Sequence, residues 1–232
     1  ALDANIVGDR NIAIGYGALS TYNPSTNEDS YNVGIGYAAL TNNSTGKENT
    51  AIGGLAMDAN TTGIRNTAVG HNALAANTTA DSNSAVGRNA LAANTTGAQN
   101  TAVGRAALGA NTTASDNTAV GAFALDANTT GDSNVAVGKS ALTTATTADD
   151  NTAVGFYGLA AVTTGAGNVA VGKDAGQLIT TGNYNVAIGL DALESVTTGA
   201  DNTAVGYYAL QANTASGNTA FGRSAMAANT SG

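Results

Sequence analysis

Residues 66–82 have the sequence N-T-A-V-G-H-N-A-L-A-A-N-T-T-A-D-S, and a near copy, N-S-A-V-G-R-N-A-L-A-A-N-T-T-G-A-Q, follows directly at 83–99. The same pattern runs through the whole chain of 232 residues. Each copy opens on an asparagine, at positions 11, 32, 49, 66, 83, 100, 117, 134, 151, 168, 185, 202 and 218. The period is therefore 17 residues, with four residues inserted in the first interval and one missing from the last. Numbered from its asparagine, the consensus repeat is N-T-A-V-G-x-x-A-L-x-A-N-T-T-G-x-x, repeat positions 1 to 17.

A period of 17 residues is too short for a pair of helices, which needs about 33 residues or more, but it suits one coil of a β-solenoid. Positions 2–4 form a short strand with β-branched residues on alternate sites. Gly at position 5 predicts a corner with positive φ or close backbone approach. Positions 8–10 predict a second short strand or a single helical turn, and N-T-T-G the next corner. We therefore predict an all-β, repetitive parallel β-solenoid (β-roll) of about 13 coils.

Stacked coils place identical repeat positions about 4.8 Å apart, so like residues form ladders. Stacked asparagine amides can hydrogen-bond along such a ladder, and asparagine tolerates a left-handed corner better than most residues. The predicted structural ladder, at positions 1 and 5, includes Asn66, Gly70, Asn83, Gly87, Asn100, Gly104, Asn117 and Gly121. The predicted core, at positions 4 and 9, includes Val69, Leu74, Val86, Leu91, Val103 and Leu108.

The chain has many hydrophobic residues, but the summed volume of their side chains is small. Hydrophobic residues make up 43% of the chain, but 49 of them are alanine. Each coil offers two sizeable apolar side chains, which is little for a free-standing monomer. The alanines at positions 3 and 8 would give smooth surfaces on which a second backbone could pack. We therefore expect several copies to associate lengthwise, three being the most natural number.

Repeats such as N-T-A-V-G-R-A-A-L-G-A-N-T-T (100–113) resemble those in bacteriophage tail-fibre proteins. They are also similar to the head repeats of trimeric autotransporter adhesins, whose motif is N-S-x-A-[I/V]-G. The resemblance covers the full chain and implies a left-handed parallel β-roll assembled as a homotrimer, extracellular on a virion tail or cell surface. Adhesin heads use about 14 residues per coil, so the three extra residues here fall around N-T-T.

Composition excludes several classes of function. The chain has no cysteine and a single histidine, His71, so thiol chemistry and histidine-based metal sites are ruled out. A net charge of −8 argues against nucleic acid as a partner, and no apolar run is long enough to insert into a membrane. No pair of carboxylates stands out as catalytic. We predict no enzyme activity, no cofactor and no metal. Residues 1–232 form one array that begins and ends within a repeat, which favours a segment of a longer fibre.

Candidate contact residues are the aromatic ones. Four tyrosines cluster near the insertion Y-N-P-S-T-N-E-D-S-Y (22–31), and two aromatic doublets follow later. Inserted loops on solenoids often lie on the binding face, and tyrosine adapts well to glycan or protein surfaces. The candidates are Tyr16, Tyr22, Tyr31, Tyr37, Phe156, Tyr157, Tyr207 and Tyr208. The alternative is that these rings lie in the lateral groove between subunits.

Three further patterns bear on function. Cations gather at position 6 and acidic residues at positions 16 and 17, which predicts two solvated stripes of opposite charge, or pairs between subunits. At position 12, asparagine gives way to Ala145, Val162, Ile179 and Val196, so we expect a drier corner there. Asn-x-Ser/Thr sequons recur with the repeat, at Asn60, Asn77, Asn94 and others.

The leading hypothesis is a non-enzymatic structural fibre, with itself as partner and a cell-surface glycan or protein as receptor. Rigid repeated contacts would gain avidity without a deep pocket. The first alternative is a glycosylated extracellular fibril subunit. An ice-binding solenoid is a weaker alternative, because the adjacent threonines at positions 13 and 14 would point to opposite faces of a strand.

Overall fold

The computed structural model describes residues 2–3, 8–24 and 28–229. Residues 25–27 of the insertion lie outside the described residues. The fold is an all-β parallel solenoid with a period of 17 residues, as predicted, and the described residues contain no helix. The strands are β1 (Gly8–Asp9), β2 (Ile12–Ile14), β3 (Glu28–Asp29), β4 (Val33–Ile35), β5 (Thr50–Ile52), β6 (Thr67–Val69), β7 (Ser84–Val86), β8 (Thr101–Val103), β9 (Thr118–Val120), β10 (Val135–Val137), β11 (Thr152–Val154), β12 (Val169–Val171), β13 (Val186–Ile188), β14 (Thr203–Val205) and β15 (Thr219–Phe221).

The chain divides into two compact units, Ala1–Asp116 and Asn117–Gly232. In the first unit, strands β2 and β4 to β8 pair in parallel in chain order, and β1 pairs with β3. In the second unit, β9 to β15 pair in the same way. The register is one repeat per step, so that Ala68 of β6 lies beside Ala85 of β7. Apart from the β1–β3 pair, each repeat therefore forms one coil with a single strand, at positions 2–4.

Positions 8–10 do not form the second strand or helical turn that we expected. They lie in a run of turns, and the residues at positions 7 and 9 have left-handed backbones, as with Asn72 (φ 57°) and Leu74 (φ 52°). Each such residue costs about 1–2 kcal/mol in this conformation. The neighbouring coils hold them in place, since the Leu74 N–H donates to the Ala90 carbonyl at 3.0 Å and the Asn72 N–H to the Gly54 carbonyl at 3.1 Å. Conformation is thus imposed by stacking and not by local propensity.

Glycine at position 5 has both properties that the sequence predicted. Gly70 has a φ of 137°, and a Cβ built on it would lie 2.6 Å from the carbonyl oxygen of Gly87. Only glycine fits a backbone this close to the next coil.

The asparagine ladder at position 1 is also confirmed. The Asn83 N–H donates to Oδ1 of Asn66 at 2.9 Å, and the Asn100 N–H donates to Oδ1 of Asn83 at 2.9 Å. In the second unit the Asn134 N–H donates to Oδ1 of Asn117 at 2.9 Å. The expectation that these asparagines adopt the left-handed corner conformation was wrong. The residue before them, at position 17, has it instead, as in Ser82 with a φ of 60°.

The core of each coil is small and partly polar. Leu74, Leu91 and Leu108 at position 9 are fully buried, as predicted. Alanines at positions 3 and 8, such as Ala68 and Ala73, are also fully buried inside their own coil. They therefore cannot provide the smooth outer surface for a second backbone that we expected. The asparagines of positions 1 and 12 complete the interior, where their amides are hydrogen-bonded.

Candidate contact surfaces

The outward face of the strands carries positions 2 and 4. Val86 and Val103 are 40% and 39% exposed, and Val69 is half-buried, so their prediction as core residues was wrong. The reason is the alternation of a strand: because Ala at position 3 points inward, its neighbours at positions 2 and 4 point outward.

Position 4 forms an apolar row along each unit, which we call the strand-face stripe. Its exposed members are Ile14, Ile52, Val86 and Val103 in the first unit, and Val120, Val137, Val154, Val171, Ile188 and Phe221 in the second. Position 2 adds half-buried valines beside them, including Val135 and Val169. Monomeric soluble proteins rarely expose contiguous apolar patches larger than a few hundred Å². Such a row is an exposed apolar surface of the kind on which interaction sites are found.

The two margins of the stripe differ in charge. Cations at position 6 lie along one margin and are exposed, among them Arg88 and Lys139. Acidic residues at positions 16 and 17 lie along the other, including the exposed Asp132, Asp150 and Asp201. The face is therefore apolar in the middle and polarised from one margin to the other.

Some of the position 16 side chains also hold adjacent coils together, which the sequence did not indicate. Oδ1 of Asp81 accepts the Ile64 N–H at 2.7 Å, and Oδ1 of Asp149 accepts the Asp132 N–H at 2.8 Å. Ser115, Asn183 and Ser216 accept the same bond from Ala98, Ala166 and Ala200. The acceptors recur every second coil, and each of the five donors directly follows a glycine. From Gly63 to Gly165 this alternation matches an exchange of Gly and Ala at position 15, but Gly182 breaks the match.

Of the four N-terminal tyrosines, one is buried and one is 49% exposed but has a cation on its ring. Tyr22 is fully buried, so its prediction as a contact residue was wrong. Tyr31 is occupied by Arg10, whose guanidinium lies 5.5 Å from the ring centroid and donates to the Tyr31 hydroxyl and to Asp29. The hydrogen bond to Tyr31 and the charge of Asp29 raise the pKa of Arg10.

The other two tyrosines bound a groove. Tyr16 and Tyr37 occupy position 6 of successive coils, with ring planes 11° apart and centroids separated by 5.8 Å. They are 80% and 61% exposed. The groove has a volume of about 580 Å³ and is lined in addition by Asp3, Gly17, Ser20, Ala38 and Thr41. Its size falls within the usual range for small-molecule sites, about 300–1,000 Å³.

The two aromatic doublets are arranged differently. Phe156 and Tyr157 meet edge to face, with centroids 4.3 Å apart, and Tyr207 and Tyr208 lie 3.9 Å apart. In each doublet the ring at position 7 covers the ring at position 6. A hydrogen bond and nearby charge from Tyr207 raise the pKa of Tyr208 to about 12.

Cations of neighbouring coils lie over both doublets. Lys139 is 5.6 Å from the Phe156 centroid, and Arg223 is 5.6 Å from that of Tyr207. Such contacts at exposed sites are worth about 0.5–1 kcal/mol.

Other candidate chemistry is sparse in residues 2–3, 8–24 and 28–229. No three His, Asp or Glu side chains there lie close enough together to hold a metal ion. Burial raises the pKa of Asp58 and of Asp191, but neither lies in a cluster of that kind. In the described part of the chain, no helix could span a membrane. No protein-family model, curated protein or solved structure matches the chain.

Proposed function

We propose that this chain is a non-enzymatic structural fibre subunit that assembles lengthwise as a parallel homotrimer and forms part of an extracellular or virion shaft. The observation that carries the proposal is the strand-face stripe. It repeats at every coil of a unit, so the partner that fits it best presents the same flat row at the same spacing. Another copy of this chain does so.

The charged margins favour parallel copies. A rotation about the direction of coil stacking brings the cationic margin of one copy against the acidic margin of the next. Antiparallel copies would instead place like margins together, which costs free energy. These charges would set register and orientation, while burial of the valines would supply most of the stabilisation.

The experiment is the mass of the chain in solution and its response to charges on the stripe. Light scattering after size exclusion should give three times the 22.5 kDa of one chain. The double variant Val137→Lys/Val171→Lys should dissociate the trimer, since lysine ammonium groups cannot be buried against valine without a large desolvation cost.

The matched control is Thr130→Lys/Thr164→Lys, which adds the same charges at exposed position 14 of two coils in the same unit. This control should remain trimeric. A wild-type mass of 22.5 kDa would refute self-association. An undisturbed trimer in the valine variant would refute the stripe as its interface.

The structure also bears on the two alternatives. The sequon asparagines Asn60, Asn77 and Asn94 are fully buried, and their amide nitrogens donate within the corner ladder, as from Asn77 to Oδ1 of Asn60 at 2.9 Å. A glycan on these nitrogens is incompatible with the folded corner, which counts against a regularly glycosylated fibril.

The geometry at position 13 counts against ice binding. The Thr61 hydroxyl donates to the Thr78 carbonyl at 2.9 Å, and the Thr95 hydroxyl to the Thr112 carbonyl at 3.0 Å. These position 13 hydroxyls are therefore bonded to the backbone of the next coil and do not form a free array.

A further inference from the structure

The residue at position 7 influences how far an aromatic ring at position 6 is exposed. Beside a second ring, Phe156 and Tyr207 are 38% and 39% exposed. In the doublets, Tyr157 and Tyr208 supply a second ring. Beside Tyr16 and Tyr37, position 7 is instead Gly17 and Ala38. The backbone does not differ, because Ala38 and Tyr157 share a φ of 55°. The tyrosine groove is thus the same surface site without the second ring that position 7 supplies in the doublets.

The walls of the groove combine ring faces with polar groups. Ser20 and Thr41 bring hydroxyls from position 10, and Asp3 brings a carboxylate. The Thr41 hydroxyl donates to the Gly17 carbonyl at 3.0 Å, which fixes its orientation and leaves its oxygen able to accept a further hydrogen bond. A ligand that fits here has an apolar face for the tyrosines and hydroxyl donors around its edge.

We propose that this groove binds pyranose units of a neutral surface polysaccharide. The C–H face of a sugar ring lies against Tyr37, in the place that Tyr157 and Tyr208 take in the doublets. Sugar hydroxyls donate to Asp3 and exchange hydrogen bonds with Ser20 and Thr41. Because Tyr16 is stacked on Tyr37 one coil away, a second sugar unit of the same chain can reach it beyond the first. The groove takes its lining from positions 6, 7 and 10 and none from the strand-face stripe, so a sugar can occupy it in the proposed shaft. The inference adds a ligand to that shaft and rests on it for its biological setting.

Binding is tested by saturation-transfer NMR on the full chain. The probes are the methyl glycosides and linear hexasaccharides of glucose, galactose, mannose and N-acetylglucosamine. At least one hexasaccharide should receive saturation on its ring protons, bind more tightly than its methyl glycoside, and have a dissociation constant near the millimolar range. No transfer to any of these sugars would overturn the proposal. So would stronger binding of choline, which would indicate a cation site on the tyrosine faces.

The decisive variant is Ala38→Tyr, in which a tyrosine of the protein itself supplies the second ring beside Tyr37. The chain itself tolerates tyrosine in this conformation at Tyr157 and Tyr208. We expect at least tenfold weaker sugar binding with an unchanged circular dichroism spectrum, and a similar loss in Tyr37→Ala. The control Tyr207→Ala, which removes the position 6 ring of a doublet, should leave binding unchanged. Equal binding in wild type and Ala38→Tyr would place the sugar elsewhere and overturn the assignment.

Light scattering on the same samples separates this inference from the proposed fibre. If the chain is a trimer that binds no sugar, only the groove proposal is refuted. If the chain is a monomer that binds sugar, and the Ala38→Tyr variant does not bind it, only the fibre proposal is refuted.

Discussion

The corner at position 12 is built in two ways along the chain. In the coils that contain Asn60, Asn77 and Asn94, the corner is a ladder of buried amides, with Asn94 Nδ2 donating to Oδ1 of Asn77 at 3.1 Å. In four later coils the same site holds an apolar side chain, also fully buried. These residues are Ala145, Val162, Ile179 and Val196. Both kinds of corner are closed to solvent, so the change that the sequence shows at position 12 is a change in the buried interior.

The difference shows which amides the coil requires. At position 12 of an amide corner, Asn94 donates to the Gly97 carbonyl at 2.9 Å, but Asn83 at position 1 donates to the same oxygen at 2.8 Å. In an apolar corner the position 1 amide alone remains, as Asn151 donates to the Gly165 carbonyl at 2.9 Å. Position 12 is therefore a redundant donor. Position 1 is not, because its Oδ1 also accepts the backbone N–H of the next coil.

The largest expected effect comes from removing a position 1 amide where no second donor exists. Asn151→Ala leaves the Asn168 N–H and the Gly165 carbonyl without their present partners. At about 1–3 kcal/mol for each buried group, we expect a loss of about 4 kcal/mol in the free energy of unfolding. Urea denaturation at a fixed protein concentration measures it.

The matched variant Asn83→Ala tests the redundancy directly. It removes the acceptor of the Asn100 N–H, but the Gly97 carbonyl keeps the amide of Asn94. We expect a loss smaller than that of Asn151→Ala by about 1–3 kcal/mol. Equal losses would mean that the second donor has no energetic role.

A middle-sized effect should follow from exchanging the two kinds of corner. Val162→Asn places an amide between Ala145 and Ile179, where neither adjacent coil offers an amide oxygen or nitrogen at this position. We expect it to cost about 3 kcal/mol, through lost apolar burial and an unsatisfied side-chain oxygen. The reverse change, Asn77→Val, leaves the Ala80 carbonyl with its donor from Asn66. It removes the donor to Oδ1 of Asn60 and should cost about 2 kcal/mol. A larger loss for Asn77→Val than for Val162→Asn, by thermal or urea unfolding, would contradict this account.

Periodicity was enough to predict the solenoid, the asparagine ladder and the glycine corners, because each is a one-position requirement repeated in every coil. It was not enough to predict which apolar column faces inward. Val103 and Leu108 look equally suited to a core, and the choice is made by Ala102, whose inward direction turns Val103 outward. The left-handed backbone at Leu74 was also beyond prediction, since hydrogen bonds from other coils impose it against the preference of leucine.

Part of the candidate site followed from aromatic content alone, and part did not. Tyr16 and Tyr37 were among the candidates, but so was the buried Tyr22. What separates an open ring from a covered one is the size of its neighbour at position 7, small at Ala38 and aromatic at Tyr157. That signal was present in the sequence, but its meaning depends on knowing that positions 6 and 7 share one surface.

An effect smaller than that of Val162→Asn is expected from a compensated pair within the apolar corners. Position 9 is leucine or methionine in the other coils but glycine at Gly176, and in the same coil position 12 holds Ile179, larger than the alanine or valine of the other apolar corners. A Cβ on Gly176 would lie 2.9 Å from Leu159 Cδ2 and 3.0 Å from Ile179 Cδ1, so these two side chains already fill its space. Gly176→Leu should therefore cost about 2 kcal/mol by overpacking.

The double variant Gly176→Leu/Ile179→Val recreates the pairing of Leu159 with Val162 in the preceding coil, and should recover most of that loss in the same urea titration. The backbone at Gly176, with a φ of 58°, is close to that of Leu159, at 50°, so conformation is no obstacle to leucine. If the double variant were no more stable than Gly176→Leu, a backbone requirement would explain the glycine, and the volume of Ile179 would not. Recovery would show that an apolar corner is specified by the summed volume of positions 9 and 12, whereas an amide corner is specified by hydrogen bonding.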